Sequence, residues 1–385
     1  MKVLFLVSGI GPPAGWGTEF IQELIFNLSK KGTKATIINP IYKHTHPDWK
    51  QWTKEQEKKY KVRIISLDAP KLIKKSLIFH LIITPFFVTF FVIKFLSKEK
   101  FDFVHEFSST PIILLRALIF KLLFKIPTVF TLSVLNTTFL GSLNWFRVFN
   151  FGKAYLIPSK EIMQSLKRLG IQDDKIYFIP PAIDLKKFYK IIGKQQARNK
   201  LNLPSDKYII SYFGSLTTEK GIEDIIAAAQ RFTKLLAEKC HIEMVVIWKG
   251  SNEHRQLAQK INTLKLPFLE LRQEYIDIPA LLSASDCILL PQQSGHGTTI
   301  PPIATIETLA SGKPIITTNI IGNRDWVKNN NGILIEPKSP NSIVKAIEKI
   351  INLNIKKNNN YLKVFEVENV VKKYLEVYKL SGLLN

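Results

Sequence analysis

The strongest constraint on this chain is a rhythm in its hydrophobicity. Short apolar runs alternate with longer helical patterns from the first residue, and the alternation restarts after residue 207. In the first half, strands are expected at Lys2–Ser8, Lys34–Asn39, Val62–Ser66, Phe101–His105, Thr128–Leu132, Tyr155–Pro158 and Lys175–Ile179. Helical patterns fall at Thr18–Lys30, Ser76–Leu96, Pro111–Phe124 and Ser159–Leu169. In the second half, strands are expected at Tyr208–Phe213, Ile242–Trp248, Phe268–Leu271, Cys287–Leu290 and Pro314–Thr317. Helices are expected there at Glu219–Leu236, Asn252–Thr263, Pro301–Ala310 and Ser339–Ile351. Alternation of this kind predicts parallel sheets with helices on both faces. The expected class is therefore α/β, with two Rossmann-like, doubly wound domains facing across a cleft. Residues 1–185 form the first, 186–206 read as a polar, basic linker, and 207–360 form the second. Ligands of open α/β sheets bind at the carboxyl ends of the strands.

A chain of 385 residues exceeds one ordinary core, which agrees with two domains. Its two cysteines, Cys240 and Cys287, sit in apolar stretches and imply neither a disulfide framework nor a metal site. A reducing cytosol is the expected compartment. The opening Met1–Val7 has the look of a short signal peptide, but no small-residue cleavage site closes it before Pro12-Pro13. A first buried strand running into a Gly-rich turn is the expectation instead.

Charge is unevenly spread. Residues 1–190 carry 29 Lys and Arg against 13 Asp and Glu, a net of +16 of the chain's +23. Ser76–Leu96 is almost wholly apolar, interrupted by His80, Thr84, Pro85, Thr89 and Lys94, with lysines at both ends. Pro111–Phe124 repeats the pattern with Arg116 and Lys121. Pro85 and the strands on either side argue against a transmembrane span. Two basic, apolar helices in one domain point to peripheral contact with an anionic membrane, or to buried core helices. The lysines are dispersed and no basic-aromatic module appears, so a nucleic-acid partner is not expected.

Three loops are candidate anion sites. The first runs Gly9 to Thr18, with Gly15 and Gly17, between the first strand and the first helix. It lacks the spacing of a dinucleotide fingerprint. The second is Phe213-Gly214-Ser215 to Lys220-Gly221, where a strand end turns into a helix. Gly214 permits close approach and Lys220 can set an ammonium on a phosphate. The third is Ser294 to Pro302, with His296, Thr298, Thr299 and Ile300 before a helix that carries Glu307 as its single charge. Glycines and hydroxyls at a helix start make an anion cradle, and a carboxylate in an apolar helix needs a hydrogen-bond donor.

Lys220-Gly221, Pro180 to Asp184, Ala284-Ser285-Asp286 and Glu307 to Ile316 together resemble the group 1, or family-four, retaining glycosyltransferases of the GT-B fold. That resemblance implies a nucleotide-sugar donor in the second domain and an acceptor held mainly by the first. It also implies no cofactor or metal, and a final helix, Val364–Leu380 within 361–385, that crosses back to the first domain. By the same resemblance Lys220 takes the diphosphate, Glu307 the ribose, Thr298 and Thr299 the phosphates and sugar, and Gly15 and Gly17 close over the donor. Loop contacts around Trp248-Lys249-Gly250 and Arg272 are expected to choose the base, and His296 to supply charge in the phosphate loop. His105 stands on the strand of the family's histidine pair, as a catalytic or a core histidine. This chain departs from the pattern at Thr299, where a first Glu is usual, at Ser215, where an Arg is usual, and at Phe107, where the second His is usual. The function implied is transfer of a hexose to a hydroxyl of a membrane-linked or polysaccharide acceptor, by a cytoplasmic protein on the inner face of the membrane. A nucleotide-sugar epimerase and a non-catalytic binding or scaffold protein of the same fold are the alternatives.

Overall fold

The computed structural model describes every residue except 8–9, 12–18, 42–47, 69–76, 108–111, 133–150, 169, 190–191, 249–251, 274–275, 295–298, 329, 353–359 and 385. The chain divides into two compact units. One is Met1–Ile183 together with Val364–Asn385, and the other is Asp184–Lys363.

The first unit is built on seven strands: β1 (Lys2–Leu6), β2 (Lys34–Ile41), β3 (Arg63–Asp68), β4 (Phe103–Phe107), β5 (Thr128–Thr131), β6 (Gly152–Ile157) and β7 (Ile176–Phe178). Their order is β3-β2-β1-β4-β5-β6-β7, and each pairing is parallel. Val3, Leu4 and Phe5 are fully buried, as expected of a central strand covered on both faces. The winding reverses between β1 and β4, which makes that gap the switch point.

Helices Leu77–Leu96 and Ile112–Phe124 cover one face of this sheet. Val88, Val92, Leu96 and Phe120 pack with Leu4, Leu6, Ile38 and Val104 of the strands. Leu77–Leu96 is therefore a sheet-covering helix over its described side chains, and among the described residues no helix is long and apolar enough to cross a membrane. One of the two basic residues inside the second helix, Arg116, is also explained. Arg116 donates from Nη2 to Glu106 Oε1 at 2.6 Å, and both side chains are buried. Burial pushes the Glu106 carboxyl up to about 7, with the guanidinium acting against the rise. Outward, the same two helices present Phe86, Phe90, Leu122 and Leu123 to solvent.

The last helix, Val367–Leu380, belongs to the first unit. The chain enters it beside Ile183, whose amide donates to Phe365 O at 2.8 Å and whose carbonyl accepts from Val367 N at 3.2 Å. Val370, Val371, Tyr374 and Tyr378 are buried there, and the helix packs on Glu19–Lys30.

The second unit holds β8 (Tyr208–Ser215), β9 (Cys240–Trp248), β10 (Leu269–Arg272), β11 (Cys287–Leu290), β12 (Ile315–Thr318) and β13 (Gly332–Ile335). The order β10-β9-β8-β11-β12-β13 repeats the winding of the first sheet, again all parallel, with its switch point between β8 and β11. Cys240 and Cys287 are buried free thiols, and burial raises both pKa values.

Three expectations are corrected here. Segment 186–206 is not a linker but part of the second unit, with helices Lys186–Tyr189 and Lys194–Leu201. Its polarity comes from exposed lysines and glutamines, while Ala197, Arg198, Leu201 and Leu203 are buried. The long helix expected over Glu219–Leu236 is a 3-10 turn, Thr218–Lys220, then Ile222–Ala229 and Lys234–Lys239. Gly221 breaks it with a left-handed φ of 75°, and Thr233 caps the last piece by accepting from Leu236 N at 3.3 Å. The helix expected from Pro301 begins at Ile303, with Pro302 as its N-cap, so Thr299 and Ile300 precede it by several residues.

Candidate functional site

The switch point of the second sheet is assembled from backbone first. β8 ends in Gly214-Ser215, where Gly214 has a φ of +155° and a β-carbon would lie 2.7 Å from the Tyr212 hydroxyl. That hydroxyl donates to Ser215 O at 2.7 Å, so the aromatic ring shapes the strand end. The 3-10 turn carrying Lys220 follows, closed by Lys220 N donating to Thr217 O at 3.0 Å. A β-carbon on Gly221 would come within 1.8 Å of Pro291 O. Glycine is thus required twice over, for its conformation and because the turn lies directly on the end of β11.

Side chains then tie the two strand ends together. Gln293 N donates to Glu219 O at 2.9 Å, and Gln293 Nε2 donates to Asp224 Oδ2 at 2.6 Å. The Ser294 hydroxyl donates to the Glu219 carboxylate. Beneath them, Thr317 Oγ1 donates to Leu290 O and Thr318 Oγ1 to Gln292 O. Asn323, fully buried, donates from Nδ2 to Thr317 Oγ1 at 2.8 Å and accepts on Oδ1 from Thr305 Oγ1 at 2.9 Å. That network fixes the start of helix Ile303–Ser311 against the ends of β11 and β12.

Lys220 is half-buried. Desolvation holds its ammonium below the usual lysine range, while the neighbouring Glu219 pulls the other way. A partly desolvated cation beside a strand end gains from an incoming anion. Glu307 lies in the helix after β11, half-buried rather than enclosed, between the buried Ile306 and Thr308. Because β8 and β11 are neighbours, Gly214, Ser215 and Lys220 share the carboxyl end of the sheet with Thr299, Ile300 and the start of the Glu307 helix.

Other expected residues have different positions. Gly15, Gly17, His296 and Thr298 lie outside the described residues. Arg272 ends the edge strand β10, two strands away from β8, and is engaged there. Its Nε donates to Glu243 Oε1 at 2.7 Å, and its Nη2 is 3.6 Å from Glu270 Oε1. His241, Glu243 and Glu270 form the one group among the described residues with metal-ligand spacing, and Arg272 already supplies the positive charge to it. Arg272 is thus held between two carboxylates at the edge of the second sheet.

His105, expected as a catalytic or a core histidine, has a closed environment. It is fully buried on β4, with Nδ1 2.6 Å from Tyr378 Oη and Nε2 2.8 Å from Thr131 Oγ1. Phe107 stacks on it at 4.5 Å and 4°, with Phe5 at 5.6 Å. Burial drives its pKa down to about 3, so the ring is neutral at physiological pH. With both nitrogens used inside the core, its surroundings are those of a packing histidine.

Two of the sequence motifs also turn out to be structural. Asp286 accepts from Arg198 Nη2 at 2.6 Å and from Ile209 N at 2.7 Å. Lys313 Nζ donates to Ser283 O at 2.9 Å and Ser285 O at 2.7 Å. Gln292, Gln293 and Asn323 carry no signal in the sequence, because their significance is positional.

Two family models match this chain. "Glycosyltransferase Family 4" matches residues 18–187, and "Glycosyl transferases group 1" matches residues 193–363. The UDP-Gal:alpha-D-GlcNAc-diphosphoundecaprenol alpha-1,3-galactosyltransferase of Escherichia coli is 29% identical over 300 residues, 73% of this chain and 75% of that protein. WcaI of Escherichia coli (strain K12) is 26% identical over 228 residues, 56% of this chain, and the match spans only 54% of its own length. Among solved structures, Anabaena Alr3699/HepE in complex with UDP and glucose superposes with a TM-score of 0.74 at 18% identity, over 98% of this chain and 99% of that one. The fold is accordingly GT-B.

Proposed function

The chain belongs to the group 1 glycosyltransferases, and from that premise we propose that it transfers a hexose from a nucleoside-diphosphate sugar to a hydroxyl of a membrane-linked or polysaccharide acceptor. Anomeric configuration is retained in this reading. The observation that carries it is the Lys220 turn seated on the end of β11, a half-buried cation at the switch point of a Rossmann-like sheet.

Leaving-group stabilisation is the chief demand of such a transfer, because two negative charges develop on the departing diphosphate. Lys220 meets that charge, and the start of helix Ile303–Ser311 adds its dipole. No metal is required in this reading. Glu307 accepts from ribose hydroxyls. The acceptor hydroxyl attacks the anomeric carbon from the leaving-group side, and its proton passes to the departing diphosphate oxygen. Uridine is the first base to test, since UDP appears with the galactosyltransferase relative and the superposed structure.

The first unit has an apolar outer surface suited to a membrane-linked acceptor. Phe86, Phe90, Leu122 and Leu123 are exposed beside exposed Lys94, Lys98, Lys121 and Lys125. Apolar wedges ringed by lysines bind anionic bilayers peripherally. In this reading the protein works at the inner, cytoplasmic face.

A second reading, a non-catalytic nucleotide-binding scaffold, is favoured by the burial of His105 and by Ser215 and Thr299 in place of the usual Arg and Glu. Purified protein incubated with UDP- and GDP-hexoses and a polyprenyl-diphosphate-linked sugar separates the two. Formation of an α-linked product from an α-linked donor supports retaining transfer. Nucleotide binding with neither transfer nor donor hydrolysis supports the scaffold.

A further inference from the structure

Two glutamines at the switch point have buried polar atoms that the fold leaves unanswered. Gln292 is 5% exposed. Among the described residues, no donor reaches its Oε1, nor the Oε1 of Gln293. A buried carbonyl left without a hydrogen bond is destabilising, and native folds leave few of them. The amide of Gln293 has a fixed orientation. Its Nε2 donates to Asp224 Oδ2 at 2.6 Å, and the reverse orientation would set two oxygens face to face. Its Oε1 is therefore an acceptor. Both residues follow β11, and Gln293 is joined by its own amide to Glu219 O, one residue before Lys220. The backbone beneath Gln292 is pinned by Thr318 Oγ1 at 2.6 Å, so the loop cannot relax freely to solvate the side chain.

Resting on the reading above, we propose that Gln292, aided by Gln293, recognises hydroxyl groups of the donor's hexose and helps fix which sugar is accepted. Carboxamide oxygens accept hydrogen bonds and repel phosphate oxygens, so this part of the site selects a hydroxyl-bearing group while Lys220 takes the anion. Ribose hydroxyls share the same chemistry. The hexose is preferred because Glu307 already serves the ribose in this reading.

The test is calorimetric titration of UDP, GDP, UDP-glucose, UDP-galactose and GDP-mannose into the full chain and into Gln292→Met and Gln292→Glu. It is paired with thermal unfolding of each unliganded protein. For the nucleotide that the wild type binds, Gln292→Met should keep nucleoside-diphosphate affinity within twofold and lose about tenfold for the matching sugar nucleotide, the worth of one buried hydrogen bond. Gln292→Glu, which keeps an acceptor oxygen, should retain most of the sugar-nucleotide affinity. Unliganded Gln292→Met should unfold at the wild-type temperature or above, since the substitution removes an unanswered oxygen. Equal losses for nucleotide and sugar nucleotide would move the contact to the ribose and overturn the assignment. Unchanged sugar-nucleotide affinity, or a destabilised unliganded Gln292→Met, would overturn it as well. If the wild type binds none of the five ligands, the proposed function itself fails and this inference with it.

Discussion

Between β1 and β4 of the first sheet, His105 is held by Tyr378 and Thr131 and stacked on Phe107, so the polar group beside the switch point is closed into the core. Between β8 and β11 of the second sheet, the same winding ends in a half-buried lysine on a tight turn and in glutamine oxygens with no donor among the described residues. Winding order provides the location in both cases, and the side chains decide its use. In the first unit the C-terminal helix covers strand β4 with Tyr374 and Tyr378. In the second, the polar groups at the strand ends are arranged around backbone and remain suited to a ligand.

That contrast can be broken by substitution, beginning with the largest expected effect. His105→Ala should destabilise the protein by about 4 kcal/mol, because it opens a cavity between stacked rings and takes the partner from the buried Tyr378 hydroxyl. Urea unfolding measures it, and nucleotide affinity of the folded protein should be unchanged. A stable His105→Ala protein that has lost transfer activity would return His105 to the catalytic list. Gly221→Ala should cost about 3 kcal/mol, from the left-handed φ and the clash with Pro291 O, and should also abolish nucleotide binding. Wild-type stability in that variant would mean that the turn does not sit on β11.

Acid sensitivity sharpens the same contrast. His105 has a folded pKa of about 3 against an ordinary 6.5, so between these values the unfolded chain binds more protons than the folded one. Its contribution to stability is whole above pH 6.5 and is lost as the pH falls toward 3, by up to about 1.4 kcal/mol per unit. His105→Gln should flatten the acid limb of a pH–stability curve; an unaltered slope contradicts its burial as a neutral ring. The smallest effect is at the surface. Phe90→Ser should shift stability by no more than about 0.5 kcal/mol. It should reduce cosedimentation with phosphatidylglycerol vesicles, and undiminished cosedimentation would count against the membrane face.

Much of this fold was readable because buried parallel strands are apolar runs, and β1, β8 and β11 stand out for that reason. β13 carries no such signal: its four residues open on Gly332 directly after the Asn331 turn and lack the length of a clear apolar run. Residues 186–206 misled because composition averages over exposed lysines and hides Ala197 and Leu201. Lys220 was legible from its neighbours, a strand end and a glycine. His105 was ambiguous because a histidine at a strand end reads the same whether water or Tyr378, 273 residues later, will cover it. Gln292 could not be read at all, since lacking a donor is a property of packing and not of sequence.

The central claim is that the second switch point is a diphosphate site built on Lys220. Calorimetric titration of UDP, with GDP in parallel, into the wild type and Lys220→Ala tests it most directly. The account predicts binding by the wild type and a loss of roughly tenfold or more in the variant, as expected for one charge-assisted contact, with unfolding temperature unchanged. Equal affinity in both proteins, or no nucleotide bound by the wild type, would contradict it.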